Sequence, residues 1–93
     1  MLTDFQRNVL DYIATSTLQI QQRFHAGERI VEELSVVGAY AWALHADLTK
    51  SGMQLQFSDS MLTNRRAEPS QPIFFDDIHA LEDFIGLVSH NAT

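Results

Sequence analysis

The stretch ERIVEELSVVGAYAWALHADLTKSG, Glu28 to Gly52, decides how the rest of this chain is read. Placed on a helix at about 100° per residue, Ile30, Leu34, Val37, Ala41, Leu44 and Leu48 fall on one narrow stripe. Val31 and Trp42 lie on one flank of that stripe, Val36 and Tyr40 on the other. A surface helix of a small protein needs only one apolar stripe. This one is apolar around much of its circumference, which marks it as the central helix of the fold or half of an interface between chains. Glu28 sits in its expected first turn and Lys50 in its last, with Gly52 placed to supply the left-handed stop. Residues 39 to 48 also carry a weaker alternation (Trp42, Leu44, Ala46, Leu48) that would suit a strand running into a Lys50-Ser51-Gly52 turn. The alanine content and the matched end signals favour the helix.

Upstream, Thr3 with Gln6 fits a capping box, and Asp4 adds a carboxylate at a helix N-terminus. Phe5, Val9, Tyr12, Ile13, Ser16, Ile20 and Phe24 then mark the expected core face of a first helix, with Thr15, Ser16 and Thr17 as its soft middle. Gly27 stops that helix, and Arg23 and His25 place cations in its last turn. So short a connection makes the two helices antiparallel neighbours.

Downstream, Met53, Leu55 and Phe57 alternate with Gln54, Gln56 and Ser58, which predicts a half-buried strand. Met61 to Asn64 can return as a partner strand after the Ser58-Asp59-Ser60 turn, and Ile73 to Phe75 can add a third. Residues 65 to 71 with Pro69 and Pro72 read as an exposed loop. Asp76 is the expected cap of a last helix reaching about His90, with Asp77 in its first turn and Ile78, Leu81, Phe84, Ile85 and Val88 as its stripe. The expected fold is therefore α+β: two antiparallel helices, a short antiparallel β-hairpin or three-stranded sheet, and a C-terminal helix. All of it forms one domain, residues 1 to 93.

A core of this size is marginal alone, and association is a common way to add buried area. With no cysteine in the sequence, disulfides, thiol catalysis and thiolate metal sites are excluded. The start of the chain lacks the basic and apolar regions of a signal peptide, and no run approaches the roughly 18 apolar residues of a membrane span. The expected location is the cytoplasm.

Chemistry has little to work with. His79, Glu82 and Asp83 share one side of the last helix, where a carboxylate could orient an imidazole or help hold a metal. Helix capping and a solvated face account for the same acids, and no second His-x-x-Glu segment exists to complete a bundle-type site. His45 and Asp47 are two apart and point in different directions on a helix. No phosphate-binding glycine loop or nucleophile elbow is present. No metal ligand, cofactor site or catalytic residue is assigned.

The reading that remains is a small, acidic, non-enzymatic regulatory or inhibitory protein. It docks on another protein and occludes that protein's oligomerisation or nucleic-acid-binding surface. Homodimerisation is expected as well. Val31, Val36, Tyr40 and Trp42 are the expected apolar contacts, with Arg65 and Arg66 in the Pro-flanked loop as polar ones. The rivals are a ligand- or metal-binding protein with Trp42, Tyr40 and His45 lining a pocket between helices, and, last, a small enzyme using His79 or His45. The net charge of −6 suits a basic protein partner, and among six cations only Arg65–Arg66 are adjacent, too few to neutralise a run of phosphates. We therefore expect no binding to duplex DNA at physiological salt; a gel shift showing salt-sensitive micromolar binding would overturn this.

Overall fold

The computed structural model describes residues 1–57, 75 and 77–92. Three helices organise them: α1, Asp4–His25; α2, Val31–Lys50; and α3, Ile78–Asn91. Among the described residues there is no strand, so the expected α+β architecture is corrected to an all-helical one. Residues 39–48 lie wholly within α2.

The ends of α1 and α2 follow directly from the sequence. Thr3 Oγ1 accepts from the Gln6 backbone N–H at 3.1 Å, and Gln6 Oε1 accepts from the Thr3 N–H at 3.0 Å, completing the capping box. Gly27 and Gly52 both take positive φ, +82° and +90°. Each is followed by a 6→1 backbone bond, Glu28 N–H to Arg23 C=O and Met53 N–H to Leu48 C=O, both 3.0 Å. Two helices thus end in the same glycine-dependent motif. The start of α2 departs from expectation: Glu28 belongs to the connection, and Ile30 at the N-cap offers no side-chain cap. Glu32 and Glu33 in the first turn supply the favourable negative charge instead.

The hydroxyl run in α1 does not break it. Thr17 is buried and its Oγ1 donates to the Ile13 C=O at 2.7 Å, satisfying the hydroxyl within the helix. The core side of α1 is Gln6, Leu10, Ile13, Thr17 and Ile20. Phe5, Tyr12 and Phe24, expected to face inward, are exposed. That stripe is rotated because Gln6 has a reason to be inside. Its amide Nε2 donates to Asp47 Oδ2 at 2.8 Å and to Ser51 Oγ at 3.1 Å, tying the start of α1 to the end of α2. With both donors and its oxygen satisfied, the amide is buried without an orphaned polar atom.

On α2 the expected stripe holds: Ile30, Val37, Ala41, Leu44 and Leu48 are buried. Asp77, not Asp76, caps α3, its Oδ1 accepting from the His79 N–H at 2.7 Å; Asp76 lies outside the described residues. Ala80, Leu81, Phe84 and Val88 carry α3 onto the other two helices, while Ile78 and Ile85 are half-buried. Met53, Leu55 and Phe57 do point inward and Gln54 and Gln56 outward, but against the helical core and not within a sheet. Alternation records which side of the chain meets apolar surface, and here a helical surface serves. The proposed partner strand at 61–64 and residues 73–74 lie outside the described residues, and Phe75 is not in a strand.

Phe75 is nonetheless central. It is buried, and its ring meets Phe84 of α3 at 4.8 Å and Trp42 of α2 at 6.4 Å between centroids. Its backbone crosses α2 at Gly38, where an added β-carbon would sit 2.1 Å from the Phe75 carbonyl oxygen. Gly86 in α3 has open space around the same position. The two glycines should respond oppositely to alanine. We expect Gly38→Ala to cost about 1–3 kcal/mol through forced displacement of the crossing chain. Gly86→Ala should stabilise by roughly 0.5–1 kcal/mol through helix propensity. Urea denaturation of both variants checks the pair, and a neutral Gly38→Ala would refute the close crossing.

Candidate protein-docking face

The two flanks of α2 meet different surroundings. On one, Trp42 is half-buried, stacked on His45 with centroids 5.4 Å apart and 26° between ring planes, and backed by Phe75. Val31, placed on the same flank by sequence, is at the start of the helix and 67% exposed. On the other, Val36 and Tyr40 face α1 yet remain 52% and 47% exposed. Tyr40 meets Tyr12 of α1 edge to face, 4.9 Å between centroids and 63° between planes. Tyr12 is itself 47% exposed, and Phe5, seven residues before it on the same side of α1, is 66% exposed.

Beside this aromatic pair runs an open groove of about 370 Å³ between α1 and α2. Its walls are Tyr12, Ser16, Gln19 and Ile20 from α1 and Val36 and Val37 from α2. Arg23, Glu32 and Glu33 close the end away from the tyrosines. Arg23 Nη1 lies 2.8 Å from Glu33 Oε1, and its Nε lies 3.3 Å from Glu28 Oε1. The Glu33 hydrogen bond, then that of Glu28, raises the guanidinium further above its ordinary value. A bond from its own backbone N–H, then Arg23, lowers the Glu33 carboxyl. These exposed pairs are open to screening by salt. They join the end of α1 to the start of α2, and with Glu32 nearby that end of the groove keeps a net negative charge.

The structure brings together Val36 and Tyr40 of the expected contacts, and sets Trp42 apart from them on the far flank. Arg65 and Arg66 lie outside the described residues. The expected pocket of Trp42, Tyr40 and His45 is not assembled: Tyr40 packs on Tyr12, while Trp42 packs on His45. Sequence reading missed Tyr12 and Phe5 by assigning both to the core. The available signal was the alternative stripe Gln6, Leu10, Ile13, Thr17 and Ile20, which appears once a capping glutamine and a threonine are admitted as core positions.

Other chemistry is sparse. His79 Nδ1 lies 3.5 Å from Glu82 Oε1, with the imidazole 82% exposed. Among the described residues no three His, Cys, Asp or Glu side chains gather where they could hold a metal ion. No helix among them is long and apolar enough to cross a membrane. No protein-family model matches the chain, and neither a curated protein nor a solved structure resembles it.

One titratable group does sit in an apolar setting. His45 is half-buried among Trp42, Phe57 and Phe84, with ring centroids at 5.4, 5.5 and 6.4 Å. Desolvation by this burial lowers its pKa from 6.5. The neutral imidazole is therefore favoured by folding. Its stabilising contribution is fully present above pH 6.5 and is lost as pH falls from there through the depressed folded value. We expect unfolding midpoints to drop as pH is lowered below about 6.5, with a smaller drop in His45→Gln. Denaturation across that range checks it; equal pH dependence in the two proteins would remove His45 as the cause.

Proposed function

We propose that this chain is a small, acidic, non-enzymatic regulatory protein that docks on another protein through the shared face of α1 and α2. The observation that carries the reading is the half-exposed cluster of Tyr12, Val36 and Tyr40 beside the groove. Valine is ordinarily buried and tyrosine is intermediate, and contiguous exposed apolar surface marks interaction sites. Tyrosine is suited to the role: it offers a large, stiff, amphipathic surface that loses little conformational entropy on binding. The helices beneath are locked by the Gln6 network at one end and the Arg23 clamp at the other. The face is thus presented preorganised, which lowers the ordering cost of association.

The mode of action that fits is occlusion. A rigid two-helix face covers a surface its partner otherwise uses, either for its own assembly or, given the net charge of −6, for contact with nucleic acid. Affinity chromatography from host extract tests the docking, with Val36→Glu and Tyr40→Ala as controls. Both positions are half-exposed, so neither variant should unfold the chain. We expect a single predominant protein to be retained by the natural sequence. Tyr40→Ala should weaken its binding by about 2 kcal/mol or more, roughly thirtyfold in Kd. Equal retention by all three proteins would rule out this face.

A further inference from the structure

The groove between α1 and α2 changes character along its length. Buried Ile20 and Val37 line it together with Tyr12 and Val36. Where α1 ends and α2 begins, the lining turns to Arg23, Glu32 and Glu33. Glu32 and Glu33 also line a second hollow, shared with Arg29 and Val31.

Charge at this end does not balance. Glu28, Glu32 and Glu33 stand near two arginines, Arg23 and Arg29. Arg23 is taken up by Glu28 and Glu33, and no cation of the described residues pairs with exposed Glu32. The helix ends add little, because the negative C-terminus of α1 and the positive N-terminus of α2 lie together here.

Spacing then narrows the occupant. Glu32 precedes Val36 by four residues on the same side of α2, so acid and apolar wall stand one turn apart, about 6 Å along the axis. A helix laid in a groove between two others repeats that spacing, since its residues three or four apart face the same way. Its apolar residue would meet Tyr12 and Val36 while a cation one turn away reaches Glu32. A carboxylate at that position would meet Glu32 and Glu33 and be repelled.

We propose that the groove receives an amphipathic helix of a partner protein, with a lysine or arginine one turn from an apolar anchor and that cation against Glu32. This rests on the docking reading above and adds the partner's chemistry to it.

The probe is a synthetic, fluorescein-labelled helix of about four turns, with leucine on one face and glutamine elsewhere. One lysine sits a turn from its central leucine, and a matched peptide carries glutamate there instead. Fluorescence anisotropy on the natural chain should give a Kd roughly fivefold or more lower for the lysine peptide. The gap should narrow as salt is raised. Glu32→Lys should reverse the preference, and Glu32→Gln, a milder change at the same exposed position, should remove it. Asp11→Lys alters the net charge as Glu32→Lys does, on exposed α1 surface outside the groove lining, and should keep most of the preference. Equal affinity for both peptides would overturn the proposal, as would a preference that Asp11→Lys removes as fully as Glu32→Lys. Equal affinities that Tyr40→Ala still weakens would spare the docking reading. Failure of both peptides to bind also overturns the proposal; a 10.5 kDa mass doubled by light scattering would then give the groove to a second copy.

Discussion

The contact between the Phe75 backbone and Gly38 is the constraint on which the third helix depends. Without a β-carbon at residue 38, the chain can lie directly on the α2 backbone. That closeness lets the Phe75 ring reach both Trp42 and Phe84 and so joins α2 to α3 through one aromatic cluster. Interiors packed to this density do not absorb an extra methyl group freely. Gly38 therefore carries its conformational cost within a helix because the crossing requires it. Phe75 also backs Trp42 on its flank of α2, while Tyr40 on the opposite flank meets Tyr12 of α1.

At the other side of α2, polar chemistry sets the alignment. Antiparallel helices can slide and rotate over one another at small cost in apolar contact. Directional bonds remove that freedom: Gln6 to Asp47 and Ser51 at one end, Arg23 to Glu33 at the other. The inner pair is the stronger restraint, since Gln6 is 2% exposed and water competes poorly there. Burying a glutamine also turns α1 so that Phe5 and Tyr12 face out. The exposure of Phe5 and Tyr12 is in this sense a consequence of a capping residue having been given a second set of partners.

Much of this was legible in the sequence, and what was not has specific causes. The capping box, both glycine stops, the α2 stripe and the third helix follow from short-range rules, because caps and periodicity are properties of a few adjacent residues. The capping position of α3 slipped by one, from Asp76 to Asp77, since adjacent aspartates offer the same chemistry. The strand expected at Met53 to Ser58 failed for a deeper reason. Alternation predicts a chain with one side buried, which residues 53–57 have, but a strand also needs a neighbouring backbone to bond with. The α1 face failed because long-range hydrogen bonds made Gln6 a core residue, and no local pattern announces a partner 41 positions away. For the site, Val36 and Tyr40 were legible as surplus apolar surface on α2; Tyr12 was hidden by the mistaken rotation of α1.

The surplus itself is covered unevenly: Trp42 is half-buried, while Val31, Val36 and Tyr40 stay exposed. A helix apolar over most of its circumference needs neighbours on three sides, and α1, α3 and the Phe75 crossing supply them unevenly. Trp42, the larger side chain, lies on the covered flank, where His45, Phe75 and the core surround it. The exposed flank holds Val36 and Tyr40, the latter against Tyr12 of α1; a tyrosine combines an apolar ring with a polar hydroxyl. The uneven cover of α2, with Trp42 packed and Val36 and Tyr40 open, is thus the link between the packing of this small core and the binding role proposed for it.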